Sequence, residues 1–298
     1  MRRIAVLLCL LMALTACGGE GKKAEDKAAA PTTKGLPTVS GDAGKKPTVK
    51  APSSAPPKEL KAEVLEEGDG DTVKSGDLLV ANYLGQTWRE NKVFDNSYDR
   101  GEASGFPIGV GGVVPGWDKS LVGKKVGSRV LLVLPPAEGY GPQGNEQAGI
   151  KGDDTLVFVV DIVNRFGKDL TAKGSPVDKV PAGLPKVSTE SGKAATITLA
   201  KGAKPPAKPL SAVVIRGNGD AIDAKKNLVL QAVQADYKSG KTTFSSYEKS
   251  PVTIKADRIP GLAKALAGQK LGSRVVLALP SGQGGQAAAF ALDVVGMY

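Results

Sequence analysis

The run GKKVGSRVLLVLP at Gly123–Pro135 returns as GQKLGSRVVLALP at Gly268–Pro280. Each copy is a glycine-bounded turn followed by an apolar stretch of strand length. Just before them, Val113-Val114-Pro115-Gly116-Trp117 is matched by Arg258-Ile259-Pro260-Gly261-Leu262. Further upstream, Gly35-Leu36-Pro37-Thr38-Val39-Ser40 is matched by Gly183-Leu184-Pro185-Lys186-Val187-Ser188, an offset of 148 residues that no solenoid repeat reaches. Such a chain is constrained to build one domain twice, each copy with a lead-in, and its 298 residues suit about two domains. The exchange of Trp117 for Leu262 makes the two copies unequal.

Composition narrows the chemistry. The chain has no histidine, which removes Ser-His-Asp triads, Cys-His dyads and histidine-ligated metals. Its two cysteines, Cys9 and Cys17, lie at the extreme N-terminus, so no disulfide can staple the folded part. The formal charge of +10 is spread over lysine-rich linkers and the surface rather than clustered with aromatics, so no nucleic-acid partner is expected. No metal and no cofactor are expected either.

Met1-Arg2-Arg3 followed by the apolar stretch Ile4–Leu14 reads as a secretory signal peptide, far too short to span a bilayer. It ends in Leu14-Thr15-Ala16-Cys17, which resembles a bacterial lipobox; the resemblance implies cleavage after residue 16 and lipidation of Cys17, against the alternative of an ordinary signal with an incidental cysteine. Residues 17–58, rich in Gly, Ala, Lys, Pro, Thr and Ser, read as a flexible membrane tether, with Gly35–Ser40 as a candidate extra edge strand. The expected localisation is extracytoplasmic, on the membrane.

Residues 59–166 read as the first domain. Leu78–Tyr83, Val130–Leu134 and Thr155–Val163 have strand character, and Leu156, Phe158, Val160 and Ile162 share one face at period two. A short helix begins near Trp117, with Leu121 on the same side. The fold class is α+β: a twisted antiparallel β-sheet wrapping a short α-helix, present twice in tandem.

Four segments carry a likeness to a known family: Val93-Phe94-Asp95-Asn96-Ser97, Val113-Val114-Pro115-Gly116-Trp117, Gly139-Tyr140-Gly141 and Thr155-Leu156-Val157-Phe158. In this order and spacing the sequence resembles the FKBP-type peptidyl-prolyl cis-trans isomerases. The resemblance implies a pocket that receives a proline ring, with Trp117 as its floor and Tyr83, Phe94, Phe106, Val113, Val114 and Phe158 as walls. It places Asp95 near the twisting amide, oriented by Tyr83 and Arg100. Tyr140 would bond a substrate carbonyl, and Ile150 would come from the loop over the site. Implied partners are proline-containing unfolded or exported polypeptides and tacrolimus-type macrolides. Each residue also has a structural reading: Trp117 as core, Asp95 as a turn cap with Asn96 and Ser97, Tyr140 as a loop anchor, Arg100 as a solvated ion pair. Two features depart from the family. Ser104 stands where an aromatic wall residue is common, and Asn145-Glu146-Gln147 makes the loop after Tyr140 polar.

Rotation about an X-Pro bond requires no nucleophile or general base. The barrier of ~18–20 kcal/mol is the loss of amide resonance, and an apolar cavity favours the twisted amide over the planar one. The lack of histidine is therefore no objection to this activity.

Residues 167–209 read as a linker, semi-rigid at Lys204–Pro209, with Ala195–Leu199 as a strand added to the edge of the following domain. Residues 210–298 read as a second, degenerate copy with strands at Ala212–Ile215, Leu228–Val233, Val275–Leu279 and Phe290–Val295. Aligning Phe94 with Phe244 sets Val233 against Tyr83 and Ser245 against Asp95. Nine residues separate Pro280 from Phe290, against twenty-two between Pro135 and Phe158, so the loop bearing Tyr140 has no counterpart. The leading expectation is an isomerase that assists folding of exported proteins, the first domain catalysing. The rivals are a non-enzymatic peptide-binding or chaperone-like envelope lipoprotein and a structural envelope spacer.

Overall fold

In the computed structural model, residues 33–281 and 286–298 are described. The signal peptide, Cys17 and the first part of the tether fall outside the described residues. Two antiparallel sheets account for most of the fold. The chain opens with a small hairpin, β1 (Thr38–Ser40) and β2 (Thr48–Lys50). The first sheet follows: β3 (Lys61–Glu66), β4 (Leu78–Thr87), β5 (Val93–Asn96), β6 (Ser104–Pro107), β7 (Arg129–Leu134) and β8 (Leu156–Phe166), with helix α1 (Pro115–Leu121) between β6 and β7. Its order is β3-β7-β8-β4-β5, with β6 paired to β4. Strand β9 (Gly174–Pro176) and the hairpin β10 (Lys186–Val187) and β11 (Ile197–Thr198) lead to the second sheet. This contains β12 (Leu210–Gly217), β13 (Asn227–Asp236), β14 (Thr242–Ser245), β15 (Val252–Lys255), β16 (Arg274–Leu279) and β17 (Ala288–Met297), with helix α2 (Leu262–Leu266) before β16. Its order, β14-β13-β17-β16-β12-β9 with β15 paired to β13, matches that of the first sheet apart from the added edge strand β9.

Period-two alternation sorts β8 between two cores. Leu156, Phe158, Val160 and Ile162 face α1 with Trp117 and Leu121. Val157 and Val159 face the other way and meet Leu131, Val133, Trp88, Val39 and Ala51. The second cluster corrects the tether expectation for residues 33–58. This stretch is a hairpin laid across the outer face of the first sheet, since Val39 and Ala51 have apolar surface there to cover. A valine so buried contributes roughly 1.5–3 kcal/mol. Residues 167–209 depart from a spacer in the same way: Ala195 and Ile197 pack with Val233, Ala235, Ala289 and Ala291. Residues 197–198 pair with β10 rather than with the edge of the second sheet, which is taken instead by β9 against β12.

Each hairpin is locked by a buried ion pair from the repeated run. Arg129 clasps Asp161 through two bonds of 2.6 and 2.7 Å, and it also donates to the carbonyls of Gly41 and Lys45 in the first hairpin. The Gly44 amide and the Tyr98 hydroxyl donate to the same carboxylate, at 2.7 and 2.6 Å. Arg274 and Asp293 repeat this in the second half, with the carbonyls of Ser188 and Lys193 and the hydroxyl of Tyr247.

A fragment of residues 59–166 is therefore expected to be less stable than residues 33–166. It loses the cover over Val157 and Val159 and the carbonyls that satisfy Arg129, a cost of roughly 3 kcal/mol or more. Urea denaturation of the two fragments reads the difference; coincident midpoints would show that the hairpin does not stabilise the sheet.

Candidate active site

The inner face of the first sheet ends in a cup. Trp117 is carried by α1, whose first residue, Pro115, supplies a preset helical φ. Gly116 lets the helix lie close on β7, because a Cβ there would meet Leu134 Cγ at 2.5 Å. The indole, 3% exposed, is ringed edge-on by Phe106, Phe158 and Tyr83 with centroids at 4.9, 5.4 and 5.6 Å. Phe94 packs on Phe158 at 5.6 Å, and Phe106 on Tyr83 at 5.5 Å. Such edge-to-face contacts each add about 0.5–1.5 kcal/mol beyond area burial and fix ring orientation. Gly85 makes room, since a Cβ would come within 2.7 Å of both Phe94 and Phe158.

Above the rings lies a cavity of about 470 Å³ lined by Tyr83, Phe94, Asp95, Phe106, Gly112, Val113, Val114, Trp117, Tyr140, Asn145, Gln147, Ala148 and Phe158. Nine of the expected site residues thus converge on one concave space. Trp117 Nε1 has no hydrogen-bond partner there. A buried donor left unpaired costs stability, which sets this indole apart from a residue chosen for packing alone. A larger cleft of about 680 Å³ lies against Trp88 under residues 50–56. There Trp88 bonds the Ser54 carbonyl and Arg89 pairs with Asp153, and the cleft lacks a floor of several rings.

One carboxylate stands at the rim. Asp95 accepts a hydrogen bond from the Tyr83 hydroxyl, and Arg100 donates to it at 2.5 Å. Arg100 also donates to the Tyr83 hydroxyl at 2.9 Å, and its guanidinium carbon stands 5.6 Å from the Tyr83 ring centroid. Burial and the bond to Asp95 push the Tyr83 phenol up to about 12. Arg100 does not line the cavity; it braces the two groups that do. Ile150 does not line it either. It is 4% exposed and belongs to the core under the loop, because reciprocal backbone bonds with Asn145 turn its side chain inward. Its place over the cup is taken by Asn145, Gln147 and Ala148. Tyr140 is 39% exposed at the mouth. Asp118, which the sequence did not single out, accepts from the amides of Gly109 and Gly111 at 2.6 and 2.8 Å and so shapes the segment leading to Val113 and Val114. The polar loop was visible in the sequence as Asn145-Glu146-Gln147; the service of Asp118 to a loop nine residues back had no signal.

Superposing the two buried ion pairs corrects the alignment of the halves. Tyr83 lies opposite Val160, next to Asp161; the residue so placed beside Asp293 is Ala232, opposite Leu292. Ser97 bonds the Tyr83 amide and Asn82, just as Ser246 bonds the Ala232 amide and Gln231. Asp95 lies opposite Gly85 and Phe244 opposite Gln234, so the exposed Phe244 takes the carboxylate's position. Val233 and Ser245 are each displaced by one: fourteen residues separate Tyr83 from Ser97 and Ala232 from Ser246 alike, so matching Phe94 to Phe244 by residue type slips the register by one. The second half thus has Ala232, Phe244 and Leu262 where the first has Tyr83, Asp95 and Trp117. Among the described residues no group of acidic or cysteine side chains could hold a metal, and no helix is long and apolar enough to cross a membrane.

Known proteins share the first half. A family model described as FKBP-type peptidyl-prolyl cis-trans isomerase matches residues 70–163. An FK506-binding protein of Streptomyces anulatus is 36% identical over 118 residues, which cover 40% of this chain and 95% of that protein. A probable FK506-binding protein of Corynebacterium glutamicum is 34% identical over 119 residues, 40% of this chain and 98% of its own. The FKBP-type peptidyl-prolyl cis-trans isomerase FkpA of Escherichia coli is 42% identical over 102 residues, but these are only 36% of its length. A cup of rings with a braced carboxylate, on the segment that aligns with nearly whole relatives, places this chain in the FKBP-type peptidyl-prolyl cis-trans isomerases, and it is an enzyme of that family.

Proposed function

We propose that the chain is a lipid-anchored isomerase of exported polypeptides, held at the outer face of the cell membrane through Cys17, and that its first half alone carries the catalytic cup. The observation that supports this most is the pairing of an unsatisfied indole floor with a single carboxylate fixed at the rim. The second half is a duplicate in which the fold persists and the cup has been dismantled.

In this reading a proline ring enters among Trp117, Phe106, Phe158 and Tyr83. The planar X-Pro amide owes part of its solvation to charge separated by resonance, and that separation falls at the twisted midpoint. Transfer into an apolar cup therefore costs the twisted amide less than the planar one. Asp95 is held in place before substrate arrives, so it needs no reorganisation as the amide carbonyl swings past. Val113 and Val114 close one side and Phe94 the other, while Tyr140, Asn145 and Gln147 present polar groups to the flanking peptide. Arg100 fixes the rim from behind. The same cup would admit tacrolimus-type macrolides.

The test is an X-Pro isomerisation assay on soluble protein beginning at Gly18. Trp117→Leu, which installs the residue of the second half, is expected to lower kcat/KM at least tenfold, about 1.4 kcal/mol of transition-state stabilisation. Full activity in the folded variant would remove the cup from the mechanism. Asp95→Asn, which keeps the shape and loses the charge, is expected to cost less than Trp117→Leu.

The pH profile gives an independent check. With no histidine in the chain and the Tyr83 phenol raised to about 12, its protonated form is favoured by folding. Its contribution to stability is intact below the ordinary tyrosine value of about 10 and is lost as pH rises from there through 12. Difference titration of tyrosinate absorbance against Tyr83→Phe should place this phenol about two units above a free tyrosine. A normal value would show that this phenol is neither buried nor bonded to Asp95 in solution.

A further inference from the structure

Strand β6 is held from two sides. Within its own sheet it pairs only with β4, Leu78 to Pro107 and Ala81 to Ser104, and lies off the main strand order. It carries Phe106, whose ring touches both Tyr83 and Trp117. A shift of β6 therefore moves a wall and tilts the floor.

The other side of β6 is met by the second half. The hydroxyl of Tyr298 is packed against the backbone at Gly105. A Cβ on Gly105 would meet that hydroxyl oxygen at 2.7 Å and the methyl of Thr253 at 3.3 Å, so only glycine admits this approach. Tyr298 is itself fixed: its backbone exchanges two bonds with Asn227, at 3.0 and 3.1 Å, and its hydroxyl lies 3.1 Å from Thr253 Oγ1. Beside it, Lys255 reaches Glu102, two residues before β6, at 3.1 Å. Gly296 has no room for a side chain because the ring of Phe166, the last residue of β8, fills the space. The carbonyl of Lys249 abuts Gly76 at the start of β4. Every one of these contacts is made by the half that lacks Tyr83, Asp95 and Trp117 counterparts.

We propose that Tyr298 is a positioning residue for the isomerase, and that the second half serves the first as a brace which sets β6, and through it Phe106, against Trp117. This rests on the assignment of the cup as the catalytic site. Within its own sheet β6 has only β4 beside it; the phenol of Tyr298, a threonine and an ion pair complete the support. The proposal gives the duplicate a use that preserves its sheet and its Arg274–Asp293 lock while leaving its own cup free to decay.

The experiment uses the chain from Gly18 to Tyr298 labelled with 5-fluorotryptophan, whose two fluorine resonances report Trp117 and Trp88 separately. Trp88 lies in the other core, under residues 50–56, and serves as the internal control. Tyr298→Ala is expected to lower kcat/KM roughly tenfold, the scale of a sub-ångström displacement of a wall. The Trp117 resonance should shift or broaden while that of Trp88 stays in place. Tyr298→Phe, which keeps the ring and loses the hydroxyl, should fall between. Glu102→Lys should also lower kcat/KM, and combining it with Lys255→Glu should restore it. Full activity with an unmoved Trp117 resonance in Tyr298→Ala overturns the proposal. So does a joint shift of both resonances, which marks general loosening instead of positioning. Trp117→Leu, assayed alongside, separates the two readings. If it stays active, the cup was wrongly assigned; if it is inactive while Tyr298→Ala is fully active, only the brace fails.

Discussion

A guanidinium buried between a carboxylate and a hairpin's carbonyls organises each half of this protein. Removing an arginine and an aspartate from water costs several kcal/mol per ion, repaid only when geometry is good and every remaining proton has an acceptor. Arg129 has the geometry, and four of its five N–H protons have an acceptor. Its planar fork takes Asp161 bidentately, and Gly41 and Lys45 accept one bond each. The hairpin is thus part of the domain, since without it the arginine would face an unsatisfied interior. Tyr98 joins the same carboxylate, and two residues on from it Arg100 grips Asp95. A line of contacts runs from the buried lock to the rim of the cup, so the apolar scaffold and the single functional carboxylate share one support.

The second half shows what that scaffold can do without. Arg274, Asp293, Tyr247 and the Ser246–Gln231 bond repeat the lock with 0% exposure at the ion pair. Meanwhile Ala232, Phe244 and Leu262 occupy the places of Tyr83, Asp95 and Trp117. Fold and site are separable here because they draw on different faces and different forces. The lock and the outer core are satisfied by the chain itself, whereas the cup is a concavity whose floor donor, Trp117 Nε1, has no partner in the chain. Loss of the cup leaves no buried charge stranded, so the sheet tolerates it.

Much of the site could be read from order alone. Phe94, Asp95, Val113, Val114, Trp117, Tyr140 and Phe158 sit in short segments whose spacing is dictated by the fold, and all seven line the cavity. Ile150 was misplaced because its orientation is set by two backbone bonds to Asn145, which no side-chain pattern reports. The one-residue error that set Val233 against Tyr83 came from matching Phe94 to Phe244 by residue type. A strand's faces alternate, so a slip of one residue in register exchanges inside for outside. Residues 33–58 looked like a tether because few of them are apolar, yet Val39 and Ala51 suffice once a carbonyl-hungry arginine lies beneath them.

By itself the sequence determined that one glycine-bounded run recurs, that the chemistry must proceed without histidine, and that leucine stands at the second run where the first has Trp117. These are matters of residue type and local period, which survive without coordinates. Only the tertiary structure decided which carbonyls satisfy Arg129 and Arg274, which loop residues stand over the cup, and that Tyr298 reaches Gly105 from the far end of the chain. Those depend on contacts between segments up to nearly two hundred residues apart, where burial and hydrogen-bond satisfaction, rather than local preference, choose the partner.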